Sequence, residues 1–374
     1  MRYGISFLPD ATEAVKPATT YYTDAVDLSV QADQGGLHFV KMTEHYLHAY
    51  GGYCPSPIAF LSAVASRTKD IRLMTGGILP VFHHPIQLAS ETSMLDAISG
   101  GRAEIGFARA YMPYEFDAFK VNLDGSRERF METVGAVVRL WQETAVTMES
   151  QVFSFDNATT LPRCTQRPHP PVWIAAVQSR QSFAWIGQEG YKLLITPGIT
   201  GYSEQQELIS VYRESFAECH PSETPEIAIS LPVFIGQSDK DAVRRGDLYL
   251  DRYLRVWADA AKHWNSASSR DYPRYTGLGR GLNADSPASM RERGAALIGS
   301  PQRIVDGIHW LQEKLKIDAI LMQIDFGAMN GMDARCSLGL FIDKVKPYLA
   351  SNIKRTQSTA DDHEDKIVQR DVQH

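Results

Sequence analysis

Glu44 and His45 stand side by side just beyond an apolar run, and Arg109, Arg127, Ser179 and Ser182 lie downstream of them. An imidazole titrates near neutral pH. His45 is therefore a candidate proton donor or acid–base group, or else a histidine packed in place with no chemical role. Glu44 could orient that imidazole or bind a loop backbone. Adjacent strand residues point to opposite sides, so a direct pair is not dictated. Arg109 and Arg127 suit a phosphate, because a guanidinium fork matches its oxygens. Ser179 and Ser182 bracket a helix start, where free N–H groups and the helix dipole favour an anion. Hydroxyls there serve equally well as N-caps. Two arginines and a serine-bearing helix start together point to a phosphorylated cofactor. His83-His84 lacks the HxxxH or HExxH spacing of a metal site, and Pro85 opens a helix directly after it. No metal site is expected.

Such scattered residues need a frame that gathers them. Short apolar runs at 3–7, 38–43, 71–76, 103–108, 172–177, 192–196, 227–235 and 319–324 read as strands. Stretches with helical periodicity fall between them, at 22–34, 58–68, 85–98, 127–142, 182–188, 203–219, 240–263 and 301–315. Glycines at Gly35-Gly36, Gly100-Gly101 and Gly190 mark the hand-over from helix to strand. Alternation of this kind predicts an α/β fold, either a parallel barrel or a doubly wound sheet. The count of eight favours a (β/α)8 TIM barrel.

Barrel active sites collect at the C-terminal strand ends. There the pattern places Glu44 and His45 after strand two, Gly76 and Gly77 at strand three, and Arg109 after strand four. Gln178 and Ser179 follow strand five. A phosphate site after strands four and five departs from the usual position after strands seven and eight. Residues 151–170 predict a small β insertion before strand five, and 264–291 a long lid-like insertion after strand seven. Arg270, Arg274 and Arg280 in that insertion read as solvated charge. Aromatic residues in the loops (Phe7, Tyr50, Tyr53, Tyr111, Tyr114, Phe116, Trp257) suggest a roomy, largely apolar pocket. Residues 1–350 are read as one domain, and the polar stretch 351–374 as a disordered tail.

A net charge of −6 over 374 residues argues against a nucleic-acid partner. The four cysteines are dispersed without a CxxC pair, as suits a reducing cytosol. No apolar run reaches the roughly 20 residues of a membrane span. Arg2 leads straight into a strand, so a cytoplasmic protein without a signal peptide is expected. Small residues on the helices at 58–68 and 85–98 suit either packing onto a barrel or a homodimer interface.

Taken in order, the motifs resemble those of the bacterial luciferase-like flavin-dependent monooxygenases. Thr43-Glu44-His45-Tyr46 is similar to the family's EHH signature. Leu79-Pro80, His84-Pro85, Leu95-Asp96 and Ser99-Gly100-Gly101-Arg102 follow its next run. Gly125-Ser126-Arg127, Trp173-Ile174-Ala175-Ala176, Gly299-Ser300-Pro301 and Asp325-Phe326-Gly327 continue the likeness to about residue 349. The resemblance implies a barrel that binds reduced FMN (FMNH2) supplied by a separate NAD(P)H-dependent flavin reductase. O2 would add at flavin C4a to give a hydroperoxide, which then oxygenates a small organic substrate. It implies phosphate binding by Arg109 and Arg127, with Ala176, Gln178, Ser179 and Ser182 completing that side of the cofactor site. Gly76 and Gly77 match a non-proline cis peptide beneath the flavin ring, His45 the catalytic histidine, and His84 a histidine of structural role. Tyr46 in place of the second histidine, and Ala108 where luciferase carries a cysteine, argue against light emission from long-chain aldehydes. The same superfamily contains deazaflavin-dependent oxidoreductases, and a non-catalytic flavin-binding protein is a further alternative.

Overall fold

Parallel strands buried on both faces must be apolar almost throughout, which is why the strands were legible as continuous runs. All nine residues of Ile227–Ile235 are buried, for example. The structure, a computed structural model, describes residues 1–349; the predicted tail at 351–374 lies outside the described residues.

The strands in chain order are β1 (Arg2–Phe7), β2 (Phe39–Met42), β3 (Arg72–Thr75), β4 (Ala103–Ala108), β5 (Val146–Glu149), β6 (Ser154–Ala158), β7 (Val172–Ala175), β8 (Lys192–Ile195), β9 (Ile227–Ile235), β10 (Leu297–Gly299) and β11 (Ala319–Gln323). Eight of them, in the order β9-β11-β1-β2-β3-β4-β7-β8, pair in parallel, and β8 pairs back onto β9. That closes a (β/α)8 barrel. Helices follow the strands, among them Ala18–Gln34, Pro57–Ala65, Pro85–Ile98, Ser126–Gln142, Arg180–Gln188, Tyr202–Cys219, Asp239–Ala261 and Pro301–Leu315.

Alternation along each strand divides the core in two. Phe39, Met74, Trp173, Leu194, Ala228, Ala319 and Leu321 fill the barrel interior. Their neighbours, such as Val40, Leu73, Ile105 and Ile320, face the helix layer. Full burial of a side chain of that size contributes about 1.5–3 kcal/mol. Toward the C-terminal strand ends the interior becomes small and polar, with Ser6, Lys41, Gly76, Ala175, Ser230 and Gln323 lining a cavity. The barrel is plugged at one end and hollow at the other.

Three details differ from the sequence reading. The β insertion is an antiparallel hairpin, β5–β6, whose first strand precedes the predicted 151–170 segment. A ninth parallel strand, β10, pairs with β9 and is only three residues long, too short to show a period. The insertion at 264–291 contains two six-residue helices, Leu278–Asn283 and Pro287–Glu292, in place of an aperiodic loop.

Candidate active site

All ten residues singled out above line one cavity of about 630 Å³ at the open end of the barrel: Glu44, His45, Gly76, Gly77, Arg109, Arg127, Ala176, Gln178, Ser179 and Ser182. That volume lies within the range of small-molecule and cofactor sites, roughly 300–1,000 Å³.

One side of the cavity is a cationic anchor. Ser179 is the N-cap of helix Arg180–Gln188 and accepts a hydrogen bond from the Ser182 N–H at 3.3 Å. Arg127, in the first turn of Ser126–Gln142, donates through Nη1 to Ser182 Oγ at 2.8 Å and through Nη2 to Ser179 Oγ at 3.0 Å. The serines are thus N-cap and anchor at once. Burial, and then the charge of Arg109, hold the Arg127 pKa below the ordinary guanidinium value. Arg109 lies over the Tyr272 ring at 4.1 Å and donates through Nη2 to the Asp271 carbonyl at 2.8 Å. Its Nη1 is buried with no partner. Two neighbouring guanidiniums, an orphaned donor and a helix N-terminus are complementary to a phosphate dianion. The residues present fit the phosphate of FMN.

Beside the anchor, the Gly76–Gly77 peptide is cis. A Cβ on Gly76 would lie 2.3 Å from Lys41 Cε, and one on Gly77 would lie 2.5 Å from the Ala108 nitrogen. Neither position has room for a side chain, so bare backbone faces the cavity there, a surface suited to a flat ring.

The other side gathers titratable groups. His45 Nδ1 lies 3.0 Å from Glu115 Oε1, and both side chains are buried. The same oxygen accepts the Tyr46 N–H at 2.9 Å. The His45 ring packs on Tyr50 at 5.2 Å and Tyr111 at 6.1 Å between centroids. A carboxylate on one imidazole nitrogen fixes the tautomer and aims the other nitrogen. Glu44 takes the second of its two expected roles and does not pair with His45. Its Oε2 accepts the Leu79 N–H at 2.9 Å, and its Oε1 binds His83 Nε2 at 2.6 Å and the Tyr46 hydroxyl. It ties down the loop after β3. Burial lowers the His83 pKa, but the hydrogen bond and charge of Glu44 outweigh this and raise it. His84 caps helix Pro85–Ile98, accepting the Ile86 N–H at 3.3 Å, which is a structural role.

Of the aromatic residues expected around the pocket, Tyr50, Tyr111 and Trp257 line it, joined by Tyr253, Tyr272 and Tyr275. Phe7, Tyr53, Tyr114 and Phe116 do not line it; Phe7, for instance, points the other way onto Phe60. Tyr50 stacks on Trp257, and Trp257 Nε1 donates to the Tyr111 hydroxyl at 3.1 Å. The insertion at 264–291 contributes Arg270, Asp271, Tyr272, Arg274 and Tyr275 to the cavity wall. Arg274 is ion-paired to Glu204. Among the described residues no group of three His, Cys, Asp or Glu side chains could hold a metal ion, and no helix is long and apolar enough to cross a membrane.

Sequence reasoning missed Glu115, Lys41 and Asp271. Glu115 lies 70 residues from His45 on a seven-residue helix, Pro113–Phe119, with no period to betray it. Lys41 was detectable as a lone charge within an apolar strand. Asp271 is a loop residue that only folding brings to Arg127.

Known proteins can be set beside this geometry. A family model described as luciferase-like monooxygenase matches residues 1–315. The crystal structure of the monooxygenase RslO1 from Streptomyces bottropensis superposes with a TM-score of 0.83 at 34% identity, covering 93% of this chain and 99% of that one. The oxygenase component of flavin-dependent trigonelline monooxygenase from Acinetobacter baylyi is 27% identical over 351 residues, 90% of this chain and 93% of its own length. The oxygenating constituent of 3,6-diketocamphane monooxygenase from Pseudomonas putida, a type II Baeyer–Villiger monooxygenase in complex with FMN, shares the fold. Its TM-score is 0.76 at 18% identity, with 93% and 98% of the two chains covered.

Proposed function

Since the chain belongs to the luciferase-like monooxygenase family and is a flavin-dependent enzyme of it, we propose that it is the oxygenase component of a two-component system. It uses reduced FMN from a separate NAD(P)H-dependent flavin reductase, together with O2, to oxygenate a small, planar organic substrate. The observation that carries this reading is the arginine–serine anchor opening into the same cavity as the His45–Glu115 pair.

Bound reduced FMN supplies the electrons that activate O2. The protein's residues do the rest. Arg109 and Arg127 would hold the phosphate with the N-terminus of Arg180–Gln188, and Gly76, Gly77 and Ala176 would offer the ring a surface of backbone and small side chain. Gln178 lines the same cavity. Glu115 holds a proton on His45 Nδ1, leaving Nε2 to take a proton from substrate or return one. Tyr50, Tyr111 and Trp257 offer flat faces to a planar substrate. Tyr272 and its neighbours exclude water from the mouth. The helix Pro85–Ile98 leaves Met94 and Ile98 exposed, which supports a homodimer through that face.

The test is anaerobic titration of the purified chain with reduced FMN and, separately, with reduced deazaflavin, followed by admission of O2. Binding of reduced FMN with O2 consumption is expected. Binding of the deazaflavin alone, without O2 uptake, overturns the reading in favour of a hydride-transferring oxidoreductase.

A further inference from the structure

The cavity floor holds a cation that the mechanism above leaves unused. Lys41 faces inward from β2, next to Ser6 on β1, which in turn pairs in register with Gln323 on β11. Its Nζ donates to Ser6 Oγ at 3.0 Å and Thr43 Oγ1 at 2.9 Å. An ammonium has three N–H groups, so one remains. Ser230 Oγ donates to the same Ser6 oxygen at 3.2 Å. Gln323 Nε2 is buried with no partner. Lys41 and Gln323 are each 5% exposed, and both line the cavity. The Lys41 stem is what crowds Gly76, placing it directly against the bare backbone beside the anchor.

Burying a charge among neutral hydroxyls is costly unless something offsets it. Burial indeed pushes the Lys41 pKa down to about 8, with the charge of Asp325 working the other way. Its hydrogen bonds are to hydroxyls, not to a carboxylate.

We infer that Lys41, with Ser6 and Gln323, forms a donor patch for the negatively charged edge of the reduced cofactor ring, and so makes the site prefer reduced over oxidised FMN. The inference rests on the FMN reading above. Reduced FMN carries ring charge that oxidised FMN lacks, and a cation in a poorly solvated floor separates two ligands that differ by one charge. A chain fed with reduced FMN and left with oxidised FMN gains from that preference, because the spent form leaves more readily.

The experiment compares the full chain with Lys41→Met, measuring dissociation constants for oxidised FMN and, anaerobically, for reduced FMN. Methionine keeps an unbranched side chain of similar reach without the charge. Affinity for reduced FMN should fall about tenfold with oxidised FMN nearly unchanged, which lowers the bound two-electron potential by about 30 mV. Gln323→Leu should act in the same direction more weakly, and it serves as the probe if Lys41→Met does not fold. Equal loss in both redox states, or no loss, overturns the inference and leaves Lys41 as a brace between β1 and β2. If the unsubstituted chain binds neither form of FMN, the FMN reading itself fails. If it binds both equally, only this inference does.

Discussion

On the β4–β7 side of the cavity the polar groups have donors to spare, whereas on the β2 side most of them are matched. Arg109 keeps a buried N–H without a partner, and Arg127 spends its fork on two serine hydroxyls that carry no charge. Across the cavity, Glu44 is held by Leu79, His83 and Tyr46, and His45 by Glu115. The exceptions there are Glu115 Oε2, which is buried and unpaired, and the third N–H of Lys41. A group that must grip an arriving ligand is left wanting acceptors, because the ligand brings them. A group that must present one nitrogen at one angle is instead tied down beforehand.

If the two sides are separate devices, substitutions should split binding from turnover. The largest effect is expected from His45→Ala, which should lower substrate oxygenation by about 10²–10⁴-fold while the affinity for reduced FMN stays within a few-fold. Collapse of both together would show that the sides are one unit. Arg127→Met should do the reverse. Losing charge-assisted hydrogen bonds worth about 1.5–3 kcal/mol should raise the dissociation constant for reduced FMN about 10- to 100-fold, with turnover at saturation little changed. An unaltered constant would remove Arg127 from the anchor. The smallest effect sharpens the picture of the tied side. His83 has a raised pKa in the folded chain, so its contribution to stability is fully present below about 6.5 and is lost as pH rises through the folded value. His83→Gln should flatten that part of the profile, shifting the midpoint of thermal unfolding at pH 6 by about a degree or two and less at pH 8. A shift that grows with pH would contradict the Glu44–His83 pair.

How much of this was readable beforehand follows from range. Strands such as Ile227–Ile235 announce themselves because parallel strands are apolar on both faces, and every residue chosen for the anchor sits at a strand end or helix start with local punctuation. The β10 strand and the helices Leu278–Asn283 and Pro287–Glu292 are too short to repeat the period that could reveal them. The Glu44–His45 neighbourhood was legible only in part. Adjacency left open whether the two would pair; Glu44 binds the loop after β3 instead, and the partner of His45 comes from the helix Pro113–Phe119. Arg127, Ser179 and Ser182 could be grouped beforehand because each has its own chemical signature, and the fold brings the three side chains together. The His45–Glu115 pair has one signature only, and a glutamate among aromatic residues does not advertise what it will meet.

The carboxylate of Asp271 accepts the Arg127 N–H at 3.2 Å and the Ser126 hydroxyl at 3.5 Å, while its carbonyl occupies Arg109. The insertion therefore brings an anion of its own to the first turn of Ser126–Gln142, where the helix dipole favours one. A phosphate held by the two guanidiniums, as proposed above, would lie beside that carboxylate without displacing it from either fork. Like charges side by side repel. If the arginines hold a phosphate as proposed, the anchor and the insertion meet at this residue, and what fills the first would be felt by the second.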